Sequence, residues 1–333
     1  MNATIIERVS FFVKLALFFA SLYSSLFIFS CTPNDLLSIE YVDDDMDTVS
    51  VTVPSHPYWG SKIEVHVSQY APLEYSHQSA AAFGEYAFFV KDGHSQICMY
   101  NLEKKEKLCV YNMKMANNKT YHCNQSTFGI EPFEPSDPFP LLYISQRALS
   151  DQRCLIEVYR IKTVFDDVIS EYESFSVEKV QTIFLPAMKY ENSLGNANCV
   201  INPEDGYLYT YSRNNNSAEN NYNKCKISKF AIPNIHNETV YLEDKDILSS
   251  FMIDCSALNM QGGCINNGIL FIGQGYPSAG YIYLNVVDLA QRGILGRVDL
   301  RKYQVNWEPE GCFFYDSSVM LSHSGGVCRI DKQ

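Results

Sequence analysis

Basic residues are scarce in this chain: 26 Lys and Arg stand against 38 Asp and Glu, a formal net charge of −12. No cluster of cations is available to neutralise phosphates, which argues against a nucleic-acid partner. The pattern Cys-x-x-Cys does not occur, so a zinc ribbon or thioredoxin-like site has no foothold. A glycine-rich phosphate loop is missing too, and GYPSAG at 275–280 has the wrong spacing for a serine-hydrolase elbow. Tryptophan occurs only 2 times, whereas 23 Tyr and 20 Phe suit many short strands, on which aromatic rings pack well. With 46% hydrophobic residues, 333 positions can bury a large core in one or two domains.

Residues 1–30 form a separate object. Arg8 and Lys14 precede or open an apolar stretch over 15–29, which ends in Ile28-Phe29-Ser30-Cys31. A positive start, an apolar middle and a small residue before the cut describe an export signal. The cysteine directly after that small residue resembles the bacterial lipobox, which implies cleavage before Cys31 and a lipid on its thiol. The alternative is an uncleaved membrane anchor, since the stretch approaches the roughly 20 residues of a spanning helix. Both place the rest of the chain outside the cytoplasm, and the lipobox implies anchoring in the outer membrane, on its periplasmic or surface side. Over 31–53, Asp43, Asp44, Asp45 and Asp47 mark an acidic, solvated tether whose spacing fits no calcium loop. The folded domain is expected over 54–333.

Five segments in that domain repeat one pattern: HQSAAAFGEYAFFV from His77, HCNQSTFGIEPF from His122, NANCVINPEDGYLYTYS from Asn196, QGGCINNGILFIGQ from Gln261 and PEGCFFYDSSVMLSHS from Pro309. Each has a polar or turn-forming lead of three residues, a small residue, a short apolar run, a turn and a second strand. Ala80, Gln125, Cys199, Cys264 and Cys312 share the fourth position. Alternating runs such as KLCVYNM, KVQTIFLP and ILGRVDL supply further half-buried strands. Units of about four antiparallel strands predict an all-β fold, a β-propeller of about five blades, or six if the long second unit hides one. The extra length at 163–178 reads as a helical or loop insertion. The last unit lacks an outer strand, and KIEVHV at 62–67 has no unit of its own; it is expected to complete the last blade and close the ring.

In such a ring the first strand of each blade lines the axis, and the leads meet at a funnel. They contribute His77, Gln78, His122, Asn124, Asn196, Asn198, Gln261, Glu308 and Glu310. Carboxylate, amide and imidazole groups converging there are suited to hold Ca2+ through oxygen or to hydrogen-bond sugar hydroxyls. The plainer alternative is that they cap the inner strands with no ligand at all. His94 and His323 lie in turn-like contexts and read as solvated. Tyr207, Tyr209, Tyr211, Tyr281 and Tyr283 alternate along strands, so one face belongs to the core between blades. Ten cysteines follow Cys31; those at the shared repeat position read as small buried hydrophobes. Cys98 and Cys109, on adjacent strands of a hairpin, make the one attractive disulfide pair.

The lipobox, His122-Cys123-Asn124 followed by DPFPLLYIS at 137–145, CLIEVYRIK, GNANCVINPEDGYLYTYS and EPEGC together resemble uncharacterised propeller-like lipoproteins of gut Gram-negative anaerobes. That resemblance covers most of the chain after residue 70 and implies a lipid-anchored envelope propeller with no stated activity. Glu310-Gly311 with Asn124 and Asn198 is more distantly similar to the gluconolactonase and senescence-marker propellers. There a Glu and Asn residues on inner strands hold a divalent metal; no counterpart of that family's catalytic Asp is found in this chain. The expectation is a binding module for a carbohydrate or envelope protein, with a metal-dependent hydrolase or lactonase at Glu310, Asn198 and Asn124 as the alternative.

Overall fold

The computed structural model describes residues 63–73, 75–91, 96–113, 123–146, 153–166, 171–186, 197–213, 224–256 and 259–332. The segments expected to be an export signal and an acidic tether, with Cys31, and also His94, His122 and Asn196, lie outside the described residues. Among those described, 21 strands form five sheets. Blade 1 holds β2 (Ser79–Phe83), β3 (Tyr86–Lys91), β4 (Gln96–Asn101) and β5 (Glu106–Asn112). Blade 2 holds β6 (Cys123–Phe128), β7 (Leu142–Gln146), β8 (Leu155–Asp166) and β9 (Glu171–Phe184). Blade 3 is β10 (Asn198–Asn202), β11 (Tyr207–Arg213), β12 (Lys224–Ala231) and β14 (Ser249–Ser256). The intervening β13 (Thr239–Tyr241) leaves this blade and pairs in parallel with β9. Blade 4 is β15 (Met260–Asn266), β16 (Ile269–Tyr276), β17 (Tyr281–Asp288) and β18 (Gly293–Asp299). Blade 5 is β19 (Gly311–Tyr315), β20 (Ser318–His323) and β21 (Gly326–Lys332), completed by β1 (Val65–Ala71).

The fold is therefore a five-bladed propeller, and β1 closes it as expected, pairing antiparallel with β21 from Val65↔Lys332 to Ala71↔Val327. The inner strands β2, β6, β10, β15 and β19 each touch the next around the axis. Strand alternation explains why such a ring holds together. Successive side chains point to opposite faces, so each blade feeds two cores. In β3, Phe88 packs between blades 1 and 2, while Phe89 packs between blades 1 and 5. Five apolar clusters result, one at each seam between blades. Phe88 and Phe89 are both fully buried; burial of a side chain that size contributes about 1.5–3 kcal/mol.

Two expectations need correction. The described residues of the segment 163–178 are neither helix nor loop: β8 and β9 run on as paired antiparallel strands out to Asp166↔Glu171. Nor does a disulfide join Cys98 to Cys109. Cys98 lies opposite Val110 and Cys109 opposite Met99, a one-residue offset that turns the two sulfurs to opposite faces of the blade.

Candidate functional site

The leads of blades 1, 4 and 5 converge as the repeat predicts. The Gln78 carboxamide donates to the Glu310 carboxylate, and the Gln261 carboxamide donates to the Glu308 carboxylate. Blade 3 joins through Asn198, whose Nδ2 donates to the Gln261 carbonyl at 3.2 Å, alongside the Tyr211 hydroxyl at 2.6 Å. The Glu308-Pro309-Glu310 stretch is thus tied to both neighbouring blades, and the Glu310 N–H donates back to the Glu308 carbonyl at 3.1 Å.

Glycine makes that closeness feasible. A Cβ on Gly262 would lie 2.6 Å from the Cα of Gly311 and 2.7 Å from the Cys312 nitrogen, so only the missing side chain lets the strands approach. Just beyond, Gln125 reaches across the axis from blade 2 to blade 4. Its Nε2 donates to the Gly263 carbonyl at 2.5 Å, and its Oε1 accepts from the Gly263 N–H at 2.9 Å. The repeat alignment singled out Gln125 by position but gave it no role; it is the bolt beneath the funnel.

The remaining candidates divide. His77 is buried rather than open to the funnel. Its Nδ1 lies 3.0 Å from the Tyr75 carbonyl and must carry the proton, which leaves Nε2 to accept from the Ser322 hydroxyl at 2.8 Å. Burial is the first cause that lowers its pKa to about 4, with repulsion from His323 adding to it. His77 is therefore a neutral stitch between blades 1 and 5. The side chain of Asn124 lies outside the described residues, so the expected set of Glu310, Asn198 and Asn124 is represented by two members. Among the described residues, no group of three or more His, Cys, Asp or Glu side chains gathers as a metal site.

Sequence reasoning passed over a cleft beside the funnel. Trp307, immediately before Glu308, is 52% exposed and Tyr303 is 38% exposed. With Gln69, Gln304, His323 and Val67 they line a cleft of about 500 Å³. His323, expected to be solvated, is buried, and its ring lies parallel to the indole with centroids 6.5 Å apart and planes 3° apart. Its Nδ1 accepts the Gly325 N–H at 2.9 Å, so Nε2 carries the proton and faces the Cys328 sulfur at 3.3 Å. That tautomer cannot take a proton from the thiol, and burial pushes Cys328 up to about 11. The pair is not arranged as a nucleophile and its base.

No family model matches the chain, and no curated protein matches it in sequence. Among solved structures it is similar to a glutaminyl cyclase of Myxococcus xanthus, at 11% identity over 81% of this chain and 97% of that one, with a TM-score of 0.44. It is also similar to a glucose dehydrogenase, at 10% identity over 79% and 98% of the two chains, with a TM-score of 0.40. The architecture stands on the sheets themselves, and likeness at this level assigns no chemistry.

Proposed function

We propose that this propeller is a binding module whose funnel face takes a carbohydrate, and that lipid on Cys31 holds it to the envelope membrane. One observation carries the reading. Glu308 and Glu310, held by the Gln261 and Gln78 carboxamides, follow directly in the chain on Trp307, whose exposed indole lines an open cleft. A sugar ring presents hydroxyls at its rim and an apolar C–H face. Planar polar side chains held in place satisfy the first, and an aromatic surface covers the second. Because the carboxylates are already tied to blades 1 and 4, little ordering entropy is lost when a ligand arrives.

The test is a glycan array probed with the purified protein, followed by titration of any retained glycan. Trp307→Ala is expected to weaken binding at least tenfold, and Glu308→Gln to weaken it by a smaller factor. Retention of no glycan, or equal binding by Trp307→Ala, sinks the reading.

A further inference from the structure

We infer that Cys264 and Cys312 form a disulfide under oxidising conditions, a covalent staple between blades 4 and 5 beside the axis. Their sulfurs lie 3.3 Å apart on neighbouring inner strands, β15 and β19. Closing that gap to a bond of about 2.05 Å needs a movement of roughly 1.3 Å. The backbones are already in contact two residues away, where Gly262 meets Gly311 and the Cys312 nitrogen. The pairing is selective within its apolar cluster: Cys328, in the same cluster, instead faces His323 and Gln69. The ring geometry supplies the reason. Cys264 and Cys312 hold one repeat position on adjoining blades and both pack into the cluster at the seam between blades 4 and 5, whereas Cys199, at the same position of blade 3, packs into the seam between blades 2 and 3.

The oxidant is a small-molecule disulfide. Cys264, the more exposed of the two, loses its proton and attacks one sulfur of the oxidant, forming a mixed disulfide and releasing one thiolate. Cys312, deprotonated in turn, attacks the Cys264 sulfur and releases the second thiolate, which with the first takes up the two protons. Two protein thiols are thereby oxidised and one small disulfide is reduced to two thiols. Burial raises the Cys264 thiol well above its ordinary value, so the exchange is slow at neutral pH and quickens as pH rises. The bond closes a span of 48 residues through blade 4, holding the seam independently of β1.

The test is oxidation of the reduced full-length protein with oxidised glutathione, blocking of remaining thiols, and mass mapping of a digest run without reductant. The expected result is a peptide pair joined through Cys264 and Cys312, lighter by two hydrogens. A reductant-reversible rise of roughly 5–10 °C in Tm should accompany it. Recovery of both peptides only in blocked form, or bridges to other cysteines, overturns the inference. A Tm rise that persists in Cys264→Ser overturns it as well, and a mapped bond without any rise removes the staple's role.

Discussion

Blade 5 and blade 2 each take an outermost strand from elsewhere in the chain, and the two borrowings differ in kind. Strand β1 pairs antiparallel along β21, and Val65 and Ala71 enter the cores on either side of blade 5. Strand β13 adds only three parallel pairs to β9, and its Thr239 and Tyr241 are exposed. Tyr241 stacks on Phe184 at 4.7 Å, a surface contact rather than a core one. One borrowed strand completes two apolar seams; the other covers an edge that would otherwise offer unpaired backbone to another sheet. A borrowed strand therefore matters by the side chains it buries, not by the hydrogen bonds it adds.

The sharpest way to break that comparison is to delete 63–71. The deletion strips Val65 and Ala71 from their cores and leaves Ile330 and Val327 uncovered along β21. Loss of the cooperative thermal transition is expected, read by calorimetry, since buried apolar side chains lost together exceed the usual margin of about 5–15 kcal/mol once the ring opens. A transition unchanged in midpoint and enthalpy would show that the ring does not depend on its clasp.

The clasp was legible in the sequence, and the reason is physical. Both faces of each inner strand are buried, so a small residue recurs where strands crowd, and KIEVHV stood out as a strand without a unit. The alignment survives irregularities the eye does not see, such as the shifts in register between Cys123 and Gln125 and between Met260 and Gly263. The overhang of β8 and β9 was misread because the end of β8 leaves its apolar side chains outside the core, Val164 and Phe165 being 54% and 47% exposed, although Phe175 of β9 is buried at the seam between blades 1 and 2. Where nothing is buried, alternation carries no information about strands. Glu308, Glu310, Gln78 and Gln261 were legible as a ring of leads. Trp307 was not, because a single aromatic in a loop has no period, and His77 was misjudged because burial of an imidazole leaves no mark on sequence.

A smaller effect sharpens the seam between blades 5 and 1. His77 is neutral when folded, with a pKa near 4 against 6.5 in the unfolded chain. Its contribution is therefore complete above about pH 6.5 and is lost as pH falls toward about 4, because the unfolded chain takes the proton first. The shift corresponds to on the order of 3 kcal/mol. His323, facing it from β20 and also lowered by burial, adds to the same slope. Denaturant titrations at pH 7 and pH 4.5 should show the loss in the native chain and a shallower one in His77→Gln; equal slopes would remove His77 as the sensitive stitch.

The smallest effect belongs to β13. Arg153 reaches across from the start of β8, donating to the carbonyls of Leu185 at 3.3 Å and Leu242 at 3.4 Å and to the Glu243 carboxylate at 2.9 Å. Its guanidinium also sits 5.8 Å from the centre of the Tyr241 ring. These contacts are partly solvated and engage a strand whose side chains are mostly outside the core, so Arg153→Ala should cost only about 1 kcal/mol globally. Locally the change should be larger. The Leu242 N–H, bonded to the Phe184 carbonyl at 2.8 Å, should exchange with solvent at least tenfold faster while amides of β7 keep their protection. Uniform acceleration across blade 2 would mean that β13 is part of the blade's cooperative unit after all, and the distinction between a clasp and an edge cover would fail.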